Sequence, residues 1–456
     1  MALQESKGGS GVSDVVAPSA TTVERCPVSG SGVGPAVDSL LSLDPESIRC
    51  PYPVYDELRR VAPVYWSEQL GAFVISRHSD ITHVLADPVR YSSAQQSGPS
   101  SVTALAKKLH EDPATPPVLL RQVERRLEIN SEPALINADP PLHLRQRRLV
   151  SQAFSPRRVK LMEPEVRRIA SELLEAVESE ETMDLVSQFA IPLPMTVIAD
   201  VLGVPPERQS DFKRWSNAFT RGVGALNLSM DEIGEIFQAV DEFYDYFTEE
   251  IDVRRGDPRD DLLTDLVSAR VDEGESLTLN EMLQMLVVFL VGGNETTTNL
   301  LSWTTHRLLT DPALMARIRD DMGLLRPLIE EMLRLESPVQ GLFRTATESV
   351  EIGDVSIPAG SMLWLVYGSG NRDEEALGPA DTVDLDRAES RQHLAFGRGE
   401  HFCLGANIAR LEARVGLELL LSRFPDMRIV RDHKDPVLPS FVLHGLSELP
   451  IALSTK

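Results

Sequence analysis

The chain has 456 residues, 42% of them hydrophobic and 5% aromatic, and a formal net charge of −24. That is a globular composition long enough for a large buried core, and its acidity argues against nucleic acid or an anionic membrane as the main partner. Three cysteines, Cys26, Cys50 and Cys403, are too few for a disulfide framework and too scattered for a structural zinc site; with no bilayer-length apolar run and no signal-like start, a monomeric cytoplasmic protein is expected.

Residues 1–37 are rich in Gly, Ser, Pro and Thr, too poor in apolar surface to offset the entropy of ordering. They predict a disordered tail, followed by one domain over 38–456. Helical signals begin near Asp56, and Val64 to Trp66 and Ala72 to Ser76 predict two strands around a turn. Between Tyr91 and Asp139, Val102, Leu105 and Leu109 make one helical stripe. Val118, Leu119, Val123 and Leu127 make another, with Pro113, Pro116 and Pro117 breaking between them. His143 and Arg147 are four apart and share a helical face. Arg145, Arg148, Arg157, Arg158 and Lys160 form a basic cluster around them, and Ser155-Pro156 opens a helix to Val177.

The longest predicted helix runs from Leu279 to about Leu309, with Leu283, Val287, Leu290 and Val291 at helical spacing. Gly292 and Gly293 cost its interior about 1 kcal/mol each relative to alanine, the mark of a kink or of a ligand's close approach. Glu295 and Thr296 follow at once. Asp311-Pro312 opens a further helix, on which Glu331 and Arg334 come three apart, on one face of the next stretch. After Arg344 the pattern turns short and β-like, and helical spacing returns from Ala406 to about Arg423. The fold class is therefore mainly α with small β regions, in a single large domain.

The most informative segment is FGRGEHFCLG, from Phe396 to Gly405. Cys403 sits just ahead of a helix whose N-terminal dipole and free N–H groups favour a thiolate. Gly399 and Gly405 let the backbone approach a flat ligand, and His401 has a ring N–H to offer an acidic group. A buried inert cysteine and a cysteine nucleophile are the competing readings. Neither accounts for the flanking glycines, phenylalanine and histidine.

This segment resembles the haem-binding loop of the cytochrome P450 family, Phe-x-x-Gly-x-His/Arg-x-Cys-x-Gly, and matches it at Phe396, Gly399, His401, Cys403 and Gly405. The stretch from Gly292 to Thr296 resembles the same family's oxygen-binding groove, and Glu331 with Arg334 its Glu-x-x-Arg brace. Thr382 stands where the brace's third basic partner would align, so an incomplete network is expected. Asn371-Arg372-Asp373 is followed by Glu374 and Leu377 where the family has Pro and Phe.

The resemblance implies haem b (iron protoporphyrin IX), with Cys403 as axial ligand to the iron. It implies that Thr296 and Glu295 manage proton delivery, and that His143, Arg147, Arg344 and His401 hold the haem propionates. Val288, Val291, Val339 and Leu443 are expected to line the substrate pocket, with the stretch from Ser97 to Asn130 as an apolar lid. The implied activity is a monooxygenase inserting one atom of O2 into a sizeable apolar organic substrate. Electrons would come from NAD(P)H through a reductase and a ferredoxin-like carrier, docked on the basic cluster. The alternatives are a peroxide-driven peroxygenase on the same fold and a non-catalytic haem-binding protein.

Overall fold

The computed structural model describes residues 32–95, 97–99, 101–221, 228–270, 274–387, 392–430 and 436–453. Of the expected tail, residues 1–31 lie outside these. The domain nevertheless begins before the predicted boundary, because Val33–Leu41 is a helix, α1. Val33, Val37, Leu40 and Leu41 recur at helical spacing and are buried against Tyr55, Leu58 and Trp364. Glycine-rich flanks concealed that short stripe.

Strands β1 (Val64–Ser67) and β2 (Ala72–Ile75) form the predicted antiparallel hairpin. They belong to a five-stranded sheet with β3 (Tyr91–Ser92), β4 (Leu342–Ala346) and β5 (Met362–Leu365), in the order β1-β2-β5-β4-β3. Along β4 the pleat sends Leu342 and Arg344 to the cavity described below, while Phe343 packs into the core behind.

The two stripes after Tyr91 form α2 (Val102–Glu111) and α3 (Pro117–Ile129), with the prolines between them or at the first turn. Helix α4 (Leu142–Ser151) carries His143 and Arg147, and α5 (Pro156–Ala176) opens on Ser155-Pro156 as its sequence dictates. Helices α6 (Pro192–Val201), α7 (Gln209–Arg221) and α8 (Met230–Gly256) follow.

Helix α9 (Leu279–Thr310) crosses the middle of the molecule. Thr278 and Glu281 close its start in a reciprocal capping box. It is buried on most sides, as expected of a helix packed on α6, on α10 (Leu325–Glu336) and on α11 (Ala406–Arg423). The helix runs unbroken through Gly292 and Gly293, so the weak spot is not a break. The Thr296 hydroxyl donates to the Gly292 carbonyl at 2.7 Å. Helix α10 stops at Ser337, held at φ 40° ahead of Pro338, and the chain turns there into the cavity wall at Val339.

Candidate active site

One large cavity lies between α9, α11, α4 and β4, and with its mouth it holds about 1560 Å³ of atom-free space. Helix α9 contributes a single stripe to it: Val288, Phe289, Gly292, Gly293, Thr296, Thr297 and Leu300. A Cβ built on Gly292 would meet nothing within 4 Å, so the glycine leaves open space against the helix.

Across the cavity lies the cysteine loop. Gly397 and Gly399 take φ values of 64° and 70°, and a Cβ on Gly399 would come within 2.6 Å of the Leu85 carbonyl oxygen. Only glycine fits that turn. Cys403 is tied back by its N–H to the Phe396 carbonyl at 2.8 Å. Burial pushes its thiol up from the ordinary range. The Gly405 and Ala406 N–H groups, with Arg147 and Arg410, pull the other way without prevailing. Without a bound cation, the helix dipole and neighbouring cations do not outweigh desolvation in favouring the thiolate. A coordinated cation would. Among the described residues no group of three or more His, Cys, Asp and Glu side chains could hold a metal ion, so a metal at Cys403 must bring its other ligands with it.

The rest of the wall calls for an anion. Arg344 is 3% exposed, its guanidinium donates to the Phe343 carbonyl at 2.8 Å, and among the described residues no carboxylate pairs with it. Burial depresses its pKa, with only Tyr367 and Asp139 acting in the other direction. Arg147 is likewise held down by burial, while its Nη2 donates to the Phe402 carbonyl at 2.7 Å. The His143 and His401 rings stack with centroids 4.0 Å apart. Burial and the neighbouring arginines drive His143 down to about 4 and His401 to about 3, so both are neutral N–H donors rather than cations. His143 Nδ1 is buried without a partner, and Ser93 Oγ lies 3.1 Å from His401 Nε2. A buried and a half-buried arginine without a carboxylate partner among the described residues, and an orphaned ring nitrogen beside space left open by glycines, fit a ligand that carries carboxylates.

Behind α10 the expected gap in the brace is filled. Arg387, not Thr382, is the third member: its Nε donates to Glu331 at 3.0 Å, while Arg334 bonds the same carboxylate at 2.8 and 2.9 Å. Thr382 contributes its carbonyl instead, accepting from Arg334 at 3.1 Å. Leu377 replaces the family's aromatic residue as a buried side chain.

Other expectations divide. Val288 and Val339 line the cavity; Val291 and Leu443 do not, Leu443 pairing instead with Val339 in a β-bridge. Glu295 shares a flank of α9 with Val291, beside the lining stripe. No described residue from 97–130 lines the cavity. The α2–α3 hairpin docks instead on α8, through Arg125 to Asp241 and, at 2.7 Å, to Asp245, and the apolar roof comes from Leu135 and Ile136 just after it. The basic cluster is also reduced: Arg145 pairs with Glu281 and Arg158 with Asp265, which leaves Arg148, Arg157 and Lys160 exposed. Sequence reading missed Glu412, a buried acid on α11 that lines the cavity. Its only signal was an acid at a core-facing helical position.

A half-buried cysteine, glycines that leave open space, and Arg344 and Arg147 without a carboxylate partner among the described residues meet in one cavity, an arrangement that fits a haem held through sulfur. The chain belongs to the cytochrome P450 family, whose profile matches residues 90–444. Cytochrome P450 107B1 of Saccharopolyspora erythraea is 38% identical over 386 residues, 84% of this chain and 89% of that protein. From the same organism, 6-deoxyerythronolide B hydroxylase is 34% identical over 405 residues, 88% of this chain and 96% of that one. CYP109E1 from Bacillus megaterium, solved in complex with testosterone, superposes with a TM-score of 0.75 at 35% identity, covering 89% of this chain and 99% of that one. The family consists of haem-dependent monooxygenases. Among the described residues no helix is long and apolar enough to cross a membrane.

Proposed function

We propose that this chain is a haem-thiolate monooxygenase that inserts one oxygen atom from O2 into a sizeable apolar organic substrate. The observation that carries it is the meeting, in one cavity, of the half-buried Cys403 with an Arg344 that has no carboxylate partner among the described residues. When bound, haem supplies activation of dioxygen at an iron, driven by two electrons from outside. Cys403 would hold its iron through sulfur, and Arg344, Arg147, His143 and His401 would hold its carboxylates.

Gly292 and Gly293 leave open space against α9 that a flat group could occupy. The Thr296 hydroxyl gives its proton to the Gly292 carbonyl, so its oxygen faces the cavity as an acceptor and can hold a donor in place there. Glu295, on the adjacent flank, brings protons from the solvent side. Leu85, Leu135, Ile136, Val288, Phe289 and Leu342 make the wall apolar and exclude water. Such a wall suits a large hydrophobic molecule, and the cavity cations Arg147 and Arg344 are those assigned to the haem carboxylates.

Electrons would reach the site from NAD(P)H through a reductase and a ferredoxin-like carrier, with Arg148, Arg157 and Lys160 as the cations left to receive an acidic partner. Turnover with isotopically labelled dioxygen and a surrogate ferredoxin–reductase pair tests the reading. One labelled atom in the product supports it. Turnover with peroxide that matched this rate would favour a peroxygenase, and no turnover with any ligand that binds would favour a carrier.

A further inference from the structure

Arg126 stands where its helix calls for an apolar residue. Leu119, Val123, Arg126 and Ile129 follow one another at helical spacing along α3, and all four are buried. The helix packs on α8. Phe219 on α7 and Phe243 and Tyr244 on α8 form an aromatic run there, with the Phe219 and Phe243 centroids 5.3 Å apart and those of Phe243 and Tyr244 6.0 Å apart. Arginine is rarely buried among such side chains without an acid beside it.

The acids of α8 have gone elsewhere. Asp241 and Asp245 both pair with Arg125, the preceding residue, and Glu242 pairs with Arg214 on α7. Arg126 is 7% exposed, and among the described residues no carboxylate pairs with it. Its Nη1 donates to the Tyr244 hydroxyl at 2.6 Å, and its guanidinium carbon lies 5.7 Å from the centre of the Phe219 ring. Its Nε is buried with no hydrogen-bond partner. Because the Tyr244 oxygen accepts from Arg126, its own O–H is left to donate. A buried charge left this way is costly, and an anion held by the two free donors would remove the cost. Aromatic and aliphatic surroundings favour an anion carried on an apolar body over a hydrated inorganic one.

We propose that Arg126 and Tyr244 form a binding site for an amphipathic carboxylate, an organic acid with an apolar body, at the seam of α3, α7 and α8. The carboxylate takes the Arg126 Nε and Tyr244 O–H donors. The site is separate from the Cys403 cavity, whose lining includes neither residue, and it does not depend on the haem reading. It gives the α2–α3 hairpin a role other than that of a lid.

The test uses the full-length, haem-loaded protein, with decanoate as the probe and decanol as its uncharged counterpart. Calorimetric titration measures affinity, thermal melting reads the effect on stability, and binding that leaves the haem absorption band unmoved belongs to this site. Decanoate should bind saturably without moving the band and raise the melting temperature, and decanol should bind at least tenfold more weakly. Arg126→Met keeps much of the side chain's length but not its charge. It should lose decanoate affinity at least tenfold, together with the rise in melting temperature. Tyr244→Phe should weaken binding several-fold. A purely structural Arg126 predicts the opposite pattern, an Arg126→Met that melts lower yet responds to decanoate as wild type does, and that result would overturn the proposal. So would equal affinities for decanoate and decanol. If Arg126→Met does not fold, an unchanged decanoate affinity in Tyr244→Phe overturns it instead.

Discussion

The carboxylate of Glu331 is shared by two arginines: Nε of Arg334 lies 2.8 Å, and Nε of Arg387 3.0 Å, from the same Oε1. All three side chains are buried. Removing one partner from such a cluster leaves charge uncompensated, at a cost of about 3–5 kcal/mol. Arg387→Ala should therefore lower thermal stability by that order and reduce the haem retained on purification. Arg387→Lys should restore only part of the loss, because an ammonium cannot reproduce the guanidinium's bonds to Glu331 and to the Leu377 and Pro379 carbonyls. A melting curve unchanged in Arg387→Ala would remove Arg387 from the brace.

Arg344 is the most deeply buried cation of the cavity wall. Hydrogen bonds to a charged group contribute about 1.5–3 kcal/mol, so Arg344→Leu should speed haem loss by about 10- to 150-fold. Transfer of haem to an acceptor globin measures this. Arg148→Ala, on the exposed face of the same region, should leave the rate as it was. Equal rates for Arg344→Leu and wild type would sink the carboxylate assignment.

Much of this site was legible in the chain. The glycine, phenylalanine and histidine spacing around Cys403 is short-range, and so are the Thr278 cap and the stripe of α11. Each is set by neighbours within a few residues. Arg387 was not legible, because its partner Glu331 lies 56 residues away and the connecting segment follows no period. The lid failed for a related reason. Apolar stripes at Val102 and Leu119 say that two helices bury a face, but only tertiary packing decides whether that face meets a cavity or α8.

Glu330 gives a pH signature. Burial pushes its carboxyl up, but Arg410 at 2.6 and 2.8 Å and His393 at 3.3 Å outweigh that and hold it at about 2. The folded value is below the unfolded one of 4.5, so the stabilisation is present above pH 4.5 and is lost as pH falls towards 2. It amounts to about 3 kcal/mol. Arg410 also lies 4.5 Å over the Phe396 ring of the cysteine loop, so acid should loosen the haem as it weakens the fold. Denaturant titrations of wild type and Glu330→Gln across this range should differ in slope. Parallel curves would refute the assignment.

Thr296→Ala should bind substrate and accept electrons normally while product per NAD(P)H falls several-fold, the remainder leaking to peroxide or water. Glu295→Gln should slow the oxygen-dependent step more than the first reduction. Stopped-flow reduction rates and product-to-cofactor ratios separate the two. A wild-type ratio in Thr296→Ala would place proton handling elsewhere on α9.

The most direct measurement is the absorption spectrum of the reduced, carbon monoxide-treated protein in wild type, Cys403→Ala and Cys50→Ser. A thiolate ligand shifts the main band strongly to the red. The account predicts that band in wild type and in Cys50→Ser, and its loss in Cys403→Ala. A red-shifted band that survives in Cys403→Ala would contradict it.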